Sequence, residues 1–253
     1  MAVAALYELF EIVRAAIVGH AGPAQRHAWA VVAVERWIRL FPEPAANRWV
    51  SDHKAVAQAM DIWYGTVHFV IPPLVLVWLW RRHRAVYARW RNILIATSVA
   101  AIAVFWLYPM APPRLFVGAG THFVDTSMRF GGLGPLDRGN FVDHNPYAAM
   151  PSLHIAWAAW CAWALISPST GTGRRASWWS ILYPLATTAV VIGTANHWIL
   201  DAVAGVVLVA AGVWGADALE KLRRGRPKRA ILVDKTGSAR PAAADHEEVR
   251  TRR

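Results

Sequence analysis

The chain is poor in charge and in cysteine. Asp, Glu, Lys and Arg together make up 17% of its 253 residues, whereas hydrophobic residues make up 56%. The single cysteine, Cys161, lies inside an apolar run, which excludes an intrachain disulfide and a cysteine-built metal site. Glu8 and Glu11 stand near the N-terminus with no basic cluster ahead of the apolar stretch, unlike the charge order of a cleaved signal peptide. We therefore expect a membrane-embedded chain that retains its N-terminal segment.

The basic excess is concentrated in a C-terminal tail. The formal net charge is +11, and residues 220–253 carry more than half of that excess. This tail has no apolar periodicity, so it is predicted to be disordered over residues 217–253, and nucleic-acid binding is not expected. Its first part, residues 221–229, is suited either to contact anionic lipid headgroups or only to flank a span and fix its orientation.

Five apolar runs approach or reach the roughly 20 residues that cross a bilayer core, and short links join them. A sixth candidate, Ala2–Gly19, could equally lie at the interface because it carries acidic and basic residues near one helical face. Residues 27–41 predict an amphipathic helix on the membrane surface. The expected fold is an all-α polytopic membrane bundle of six helices, with N-terminal helices in 1–60 and a transmembrane core in 61–216. The five clear spans are Asp61–Trp80, Asn92–Met110, Ala149–Ser167, Trp178–Ala195 and Trp198–Ala216.

Basic residues in short loops predict the orientation of the spans. Arginines fill residues 81–91, a second pair lies at 174–175, and the tail is basic. Because Lys and Arg near span ends favour the cytoplasm, these three segments share the cytoplasmic side. Residues 111–148 and 195–197 are then extracytoplasmic, and with six spans both termini are cytoplasmic. We expect a multi-pass protein of the plasma membrane.

A histidine and an aspartate lie four residues apart at the start of the last span. On a helix beginning near Ala195, His197 and Asp201 share one face, so the carboxylate can reach the imidazole. An acid inside an apolar run is costly to insert and indicates function. The pair is either a nucleophile or base with its orienting partner, or a buried pair that only ties helices together.

The segment from Met150 to His154 predicts a helix start that can bind phosphate. A proline is favoured in the first turn, and the free backbone N–H groups there, together with Ser152, attract anions. His154 lies one turn into its span, at the same depth as His197. Arg114 ends a proline-stiffened segment on the same side and is either a phosphate clamp or an ordinary interfacial arginine.

These motifs resemble those of the type 2 phosphatidic acid phosphatase superfamily. PSLH at 151–154 and HWILD at 197–201 are similar to its signatures PSGH and SR-x5-H-x3-D. The PSLH form, NPYAAM at 145–150 and YPMAPPRL at 108–115 resemble more narrowly its inositolphosphotransferase branch, which includes inositol phosphorylceramide synthase. The resemblance covers about residues 63–216.

The resemblance implies a six-helix membrane fold and metal-independent phosphoryl transfer with no cofactor. If the family's residue roles apply here, His197 is the nucleophile that forms a phosphohistidine, Asp201 orients it, and His154 protonates the leaving oxygen. The expected partners are a phospholipid substrate, a hydroxyl acceptor and membrane lipids. Water as acceptor would make the enzyme a phosphatase.

The chain departs from the superfamily in its phosphate-binding residues. Pro113 and Arg114 stand in reversed order with no lysine before them at the usual spacing, and valines replace the Ser-Arg pair at 190–191. This pattern fits the inositolphosphotransferase branch and leaves Arg114 as the main phosphate-binding candidate. Further candidates lie in the loop after Arg114, with ordinary loop polarity as their alternative. Arg129 and Arg138 could supply charge, and Asp125, His144 and Tyr147 could bind the acceptor headgroup.

Three other interpretations stay open. A transporter would distribute polar residues through the membrane depth, a metal site could use His154, His197 and Asp201, and a non-catalytic relative would bind lipid phosphates. In addition, Tyr64 and His68 share one face of the second span. They line a lipid access route or form an ordinary polar contact inside the bundle, and the second interpretation is favoured.

Overall fold

The computed structural model describes residues 21–118, 120–131, 146–170 and 173–225, followed by two short strands. The described chain is built almost entirely of helices, which confirms the predicted all-α class. The α-helices are α1 (Ala21–Trp37), α2 (Glu43–Ser51), α3 (Lys54–Arg82), α4 (Arg84–Leu107), α5 (Thr126–Phe130), α6 (Leu153–Ile166), α7 (Gly173–Gly193) and α8 (Ile199–Gly225). Short 3₁₀ helices occur at Pro113–Leu115 and Pro168–Thr170.

All five predicted apolar spans are helical, and three of them are long and apolar enough to cross a membrane. These three are α3, α4 and residues 199–224 of α8. The 14 residues of α6 and the part of α7 from Trp179 to Gly193 form shorter apolar helices. A helix of this length rises about 21 Å, less than the roughly 30 Å of a hydrocarbon core. The predicted span Ala2–Gly19 lies outside the described residues.

Helix α6 is the centre of the bundle. Its sequence is apolar on every face, which is typical of a helix surrounded by protein, and most of its residues are buried. It packs against α3, α4 and α7. Two of its tryptophans donate hydrogen bonds to α4, from Trp160 Nε1 to the carbonyl of Trp90 (3.0 Å) and from Trp157 Nε1 to Ser98 Oγ (3.1 Å). The position of α6 is therefore fixed by polar as well as apolar contacts.

Helix α1 packs one apolar face against the end of the bundle at which α6 and α8 begin. Ala24, Ala28 and Val31 lie on this face, and they form one cluster with Met110 and Trp198. The helix predicted over residues 27–41 is thus present, but it begins and ends earlier than expected. Residues three and four apart form a continuous apolar stripe on this helix, and the stripe contacts the rest of the protein.

The described residues divide into two compact units, with the boundary between Trp214 and Gly215. The second unit contains the last turns of α8, which continue to Gly225 into the segment assigned to the tail. It also contains an antiparallel pair of two-residue strands, β1 (Leu232–Val233) and β2 (Ala239–Arg240).

Candidate active site

His197 and Asp201 are in contact, although the histidine is not on the helix. Helix α8 begins at Ile199, later than predicted, because the chain first makes a turn with a left-handed residue at Ala195 (φ 57°). His197 Nδ1 lies 3.3 Å from Asp201 Oδ2 and 2.9 Å from the carbonyl oxygen of Ala149. Asp201 Oδ2 also accepts a 2.9 Å hydrogen bond from the backbone N–H of Trp198. The aspartate is fully buried and the histidine nearly so.

These contacts select one tautomer of His197. Both partners of Nδ1 are oxygen acceptors, so the proton of the neutral imidazole belongs on Nδ1. The lone pair is then on Nε2. A carbonyl and a carboxylate that hold one ring nitrogen also orient the ring, which is what a nucleophilic histidine requires.

His154 lies beside His197, in the first turn of α6. The two ring centroids are 5.8 Å apart. Ser152 is the N-cap of α6, since its hydroxyl accepts from the N–H of Ile155 (3.4 Å), and its own N–H donates to the carbonyl of Asp201 (3.0 Å). The predicted helix start is confirmed, but the first helical residue is Leu153, and Pro151 precedes the cap. Ser152, a predicted substrate-binding residue, is fully buried and serves as this cap.

Tyr64 and His68 of α3 both contact His154. The ring of Tyr64 stacks on His154 at 4.2 Å, and His68 meets it edge-on at 4.2 Å. Together with Val190 and Val191 of α7, the three rings line a narrow crevice. The i, i+4 spacing had indicated a polar face on α3, and the structure directs that face to a predicted catalytic histidine.

Arg114 is joined to the turn that carries His197. It lies in the 3₁₀ helix Pro113–Leu115, and its backbone N–H donates to the carbonyl of Ala195 (3.0 Å). Its Nε lies 3.5 Å from Asp125 Oδ2, and both side chains are partly exposed. Asp125 Oδ1 in turn accepts from the N–H of Met128 and caps α5. Asp125, a predicted headgroup-binding residue, therefore restrains the predicted phosphate clamp.

The other predicted loop residues are less closely connected to the histidines. Arg129 is exposed, with its guanidinium 5.1 Å from the ring centroid of Phe130. Tyr147 is half-buried, and its carbonyl accepts a 2.7 Å hydrogen bond from the N–H of Met110. Arg138 and His144 lie outside the described residues.

The described part of the chain also bears on the metal alternative. Within it, no group of three or more His, Cys, Asp or Glu side chains is arranged to hold a metal ion.

The sequence interpretation missed two buried acids that contact the start of α8. Glu35 Oε1 accepts from the N–H of Leu200 (2.9 Å), and Glu43 Oε1 accepts from the N–H of Ile199 (2.8 Å). Both side chains are fully buried. Burial and the neighbouring Glu43 raise the pKa of Glu35 to about 8, and burial also raises the pKa of Glu43. The sequence offered one sign that Glu35 is buried, because this residue lies on the apolar stripe of α1.

Trp198, next to His197, anchors the same turn. Its indole Nε1 donates to the carbonyl of Ala111 (2.9 Å). Phe41, Phe116 and Phe123 surround the indole, with centroid separations from 5.4 to 6.2 Å. The segments before and after the site are thus packed on one aromatic side chain.

Comparison with known proteins identifies one family. A profile described as the PAP2 superfamily matches residues 29–215, which include the second half of α1, all of α2 to α7 and most of α8. Neither the curated proteins nor the solved structures gave a match to the chain.

Proposed function

The chain belongs to the PAP2 superfamily, whose members are phosphatases or phosphotransferases, and we propose that it is a phosphotransferase that uses His197 as its nucleophile. It is a membrane enzyme of the PAP2 type. In this proposal it moves an inositol-phosphate headgroup from a donor phospholipid to a lipid or polyol hydroxyl. The observation that carries the proposal is the contact of His197 Nδ1 with two oxygen acceptors beside the ring of His154.

In the first step, His197 Nε2 attacks the phosphorus of the donor. The bond between phosphorus and the diacylglycerol oxygen breaks as the N–P bond forms, and protonated His154 gives its proton to the departing alkoxide. The cationic phosphohistidine is stabilised by Asp201, which keeps the proton on Nδ1. Because the chemistry needs positioning and charge stabilisation, we propose that it proceeds without a metal ion or other cofactor.

In the second step, His154 acts as a base. It takes the proton from the acceptor hydroxyl as that oxygen attacks phosphorus, and the N–P bond breaks to regenerate neutral His197. With water in place of the acceptor, the same two steps give a phosphatase. Tyr64 and His68 contact His154 and hold its ring at the site.

Arg114 is the proposed phosphate-binding residue. In lipid phosphatases of the superfamily, the positions of Val190 and Val191 carry serine and arginine, but here both side chains are apolar and buried. The backbone bond from Arg114 to Ala195 brings an arginine to the same turn by another route. A guanidinium can bind two phosphate oxygens with parallel hydrogen bonds. We propose Arg129, Arg138, Asp125, His144 and Tyr147 as secondary contacts of the substrate or acceptor.

The proposed location of the site is the extracytoplasmic face of the plasma membrane, with both termini in the cytoplasm. The support is the charge at the helix ends: the arginines at 81–91 lie in the last turn of α3 and the first turns of α4, at the ends opposite to the starts of α6 and α8. The polar groups His154, His197 and Arg114 converge at one end of the bundle, whereas a transport pathway would place such groups through its depth.

The test uses full-length protein in detergent with a chelator present. Labelled phospholipids are supplied with and without polyol or lipid-hydroxyl acceptors, and every phosphorus-containing product is identified. We expect transfer of the headgroup to an added hydroxyl, and its loss in both His197→Ala and His154→Ala. His53→Ala is the matched control, because His53 is exposed and its ring contacts its neighbour Trp49 through a hydrogen bond to the carbonyl and through stacking.

Each alternative has its own outcome in this assay. Free phosphate from a phosphomonoester lipid, with no transfer, would make the enzyme a phosphatase. Near-normal transfer by either histidine variant would refute the assigned roles. Loss of transfer on chelation, restored by a divalent ion, would refute the metal-independent mechanism. No product with any donor would favour a binding or transport function.

A further inference from the structure

Three consecutive backbone N–H groups at the start of α8 are bound by three carboxyl groups from different parts of the chain. The N–H of Trp198 donates to Asp201, that of Ile199 to Glu43 of α2, and that of Leu200 to Glu35 of α1. The first N–H groups of a helix have no partner within it, and the helix end favours negative charge. Two acids distant in sequence thus serve as caps for the catalytic helix.

The second oxygens of the two glutamates can be satisfied by a proton. Glu35 Oε2 and Glu43 Oε2 are buried and have no hydrogen-bond partner among the described residues. The two carboxyl groups interact with each other, and neighbouring buried carboxylates do not both ionise readily. A proton shared by the two carboxyl groups would give both of these atoms a partner.

Glu35 and Glu43 bind the segment of chain that links His197 to Asp201. Ile199 and Leu200 lie between His197 and Asp201 in the sequence, so the peptide groups that the glutamates bind join the nucleophile to its orienting acid. A displacement of this turn changes the 3.3 Å contact between His197 Nδ1 and Asp201 Oδ2.

We propose that Glu35 and Glu43 are positioning residues for His197, and that they hold the start of α8 in its active geometry only while the pair retains a shared proton. The inference rests on the proposed function of His197. Loss of the proton places two carboxylates side by side next to Asp201, and their repulsion moves the turn. The enzyme is thereby limited to pH values at which the pair is protonated.

The surrounding groups determine the pH at which this happens. Glu43 from α2 and Asp201 from α8 face Glu35, and both raise its pKa, after burial, to about 8. His197 contacts Asp201 as well. Burial and, after it, the charge of Asp201 raise the pKa of Tyr108, the residue that follows α4. Because the pKa is raised from 4.5 on folding, the stabilising contribution of the neutral form is complete below about pH 4.5 and is lost as pH rises to about 8.

The test compares Glu35→Gln, Glu35→Ala and Glu220→Gln in the full-length enzyme. Glutamine reproduces protonated Glu35, since its oxygen can accept from Leu200 and its amide can donate to Glu43, but it cannot ionise. Glu220→Gln is the matched control, because Glu220 is exposed near the other end of α8. The assay is kcat for headgroup transfer from labelled phosphatidylinositol, measured from pH 6 to 9.5.

We expect the fall of wild-type kcat with rising pH to steepen above about pH 8, from about tenfold to about a hundredfold per pH unit, because His154 and the glutamate pair must then both hold a proton. Glu35→Gln should keep kcat within about threefold at pH 7 and lose the steeper fall. Glu35→Ala should lose roughly tenfold or more at pH 7 with a smaller change in KM. Equal loss in the glutamine and alanine variants, or wild-type kcat in the alanine variant, would overturn the proposal.

A second measurement does not depend on turnover. In protein labelled with ¹⁵N-histidine, the ring signal of His197, assigned by its loss in His197→Gln, should show an inflection near pH 8 caused by the glutamate pair. We expect Glu35→Gln to abolish this inflection and Glu220→Gln to retain it. If the wild type transfers no headgroup, the proposed function fails while this measurement still decides the positioning role. An inflection that persists in Glu35→Gln overturns that role.

Discussion

Replacement of Gly205 by alanine should separate the two proposed catalytic histidines. Gly205 of α8 lies against the first turn of α6, and an added Cβ would stand 2.5 Å from the carbonyl oxygen of Ser152. Ordinary contacts begin at 3.4 Å, so the two backbones must move apart by about 0.9 Å. His154 follows Ser152 on α6, and Asp201 lies one turn before Gly205 on α8. The substitution thus acts directly on the spacing of the site.

Two free-energy terms oppose each other in this variant. Overpacking against a rigid backbone costs about 1–3 kcal/mol, whereas alanine is favoured over glycine within a helix by roughly 1 kcal/mol. The net destabilisation is therefore about 0–2 kcal/mol, which lowers Tm by a few degrees. Activity is more sensitive, because a misplacement of about 1 Å can cost on the order of 100-fold in rate. We expect a folded protein whose kcat is reduced by about that factor.

Gly215→Ala is the matched control on the same helix. No atom lies within 4 Å of a Cβ built at Gly215, so only the helix-propensity gain remains. We expect full transfer activity and a Tm equal to or slightly above that of the wild type. If Gly205→Ala retains more than a third of wild-type kcat, the contact between α6 and α8 does not set the distance between the histidines, and the reasoning is refuted.

Three further substitutions test single contacts of the site. Asp201→Asn should lower kcat by about 10³-fold or more with little change in KM, because the amide can favour the wrong tautomer of His197; a loss below tenfold would contradict this role. Arg114→Gln should lower kcat/KM by about 10- to 100-fold, and Asp125→Asn by less than about threefold, since Asp125 restrains the guanidinium and makes only a secondary contact with the substrate; an equal loss in both would make the carboxylate a primary contact. Trp198→Phe should lower the free energy of unfolding in detergent by roughly 1–3 kcal/mol, because the buried carbonyl of Ala111 loses its hydrogen-bond donor. An unchanged Tm would show that another donor replaces this bond.

The helices and the histidine pair could be predicted from the sequence because their signals are local. Apolar runs identify the spans, and the spacing of His197 and Asp201 needs only one turn of chain. The helix ends were less predictable. Helix α8 begins at Ile199 because the chain first turns at Ala195, and α6 begins after Ser152 because that hydroxyl caps it. The residues at which these helices begin depend on hydrogen bonds that the spacing of residues in the sequence does not reveal.

The partners of the site residues could not be predicted, because they come from distant segments. The spacing of Tyr64 and His68 showed that they share a face, but not that His154 lies opposite, because periodicity does not say which helix is adjacent. Glu35 appeared in a helix with an apolar stripe, and its acceptor role depends on a peptide group 165 residues later. Tertiary capping leaves no pattern in a single sequence.

The capping of α8 by α1 and α2 also bears on the order in which the chain can be assembled. Glu35 and Glu43 are synthesised 165 and 156 residues before their peptide partners. At about 5–20 residues per second, this interval is on the order of ten to thirty seconds. During that time the acids have no helix end to bind, and water is their best solvent. We expect α1 and α2 of a ribosome-bound chain that stops before residue 199 to be open to added protease, and to become protected once α8 is complete. Early protection would mean that other groups accommodate the acids. Late protection would mean that insertion of the last helix closes the N-terminal helices over the bundle and, in the same step, creates the proposed catalytic site.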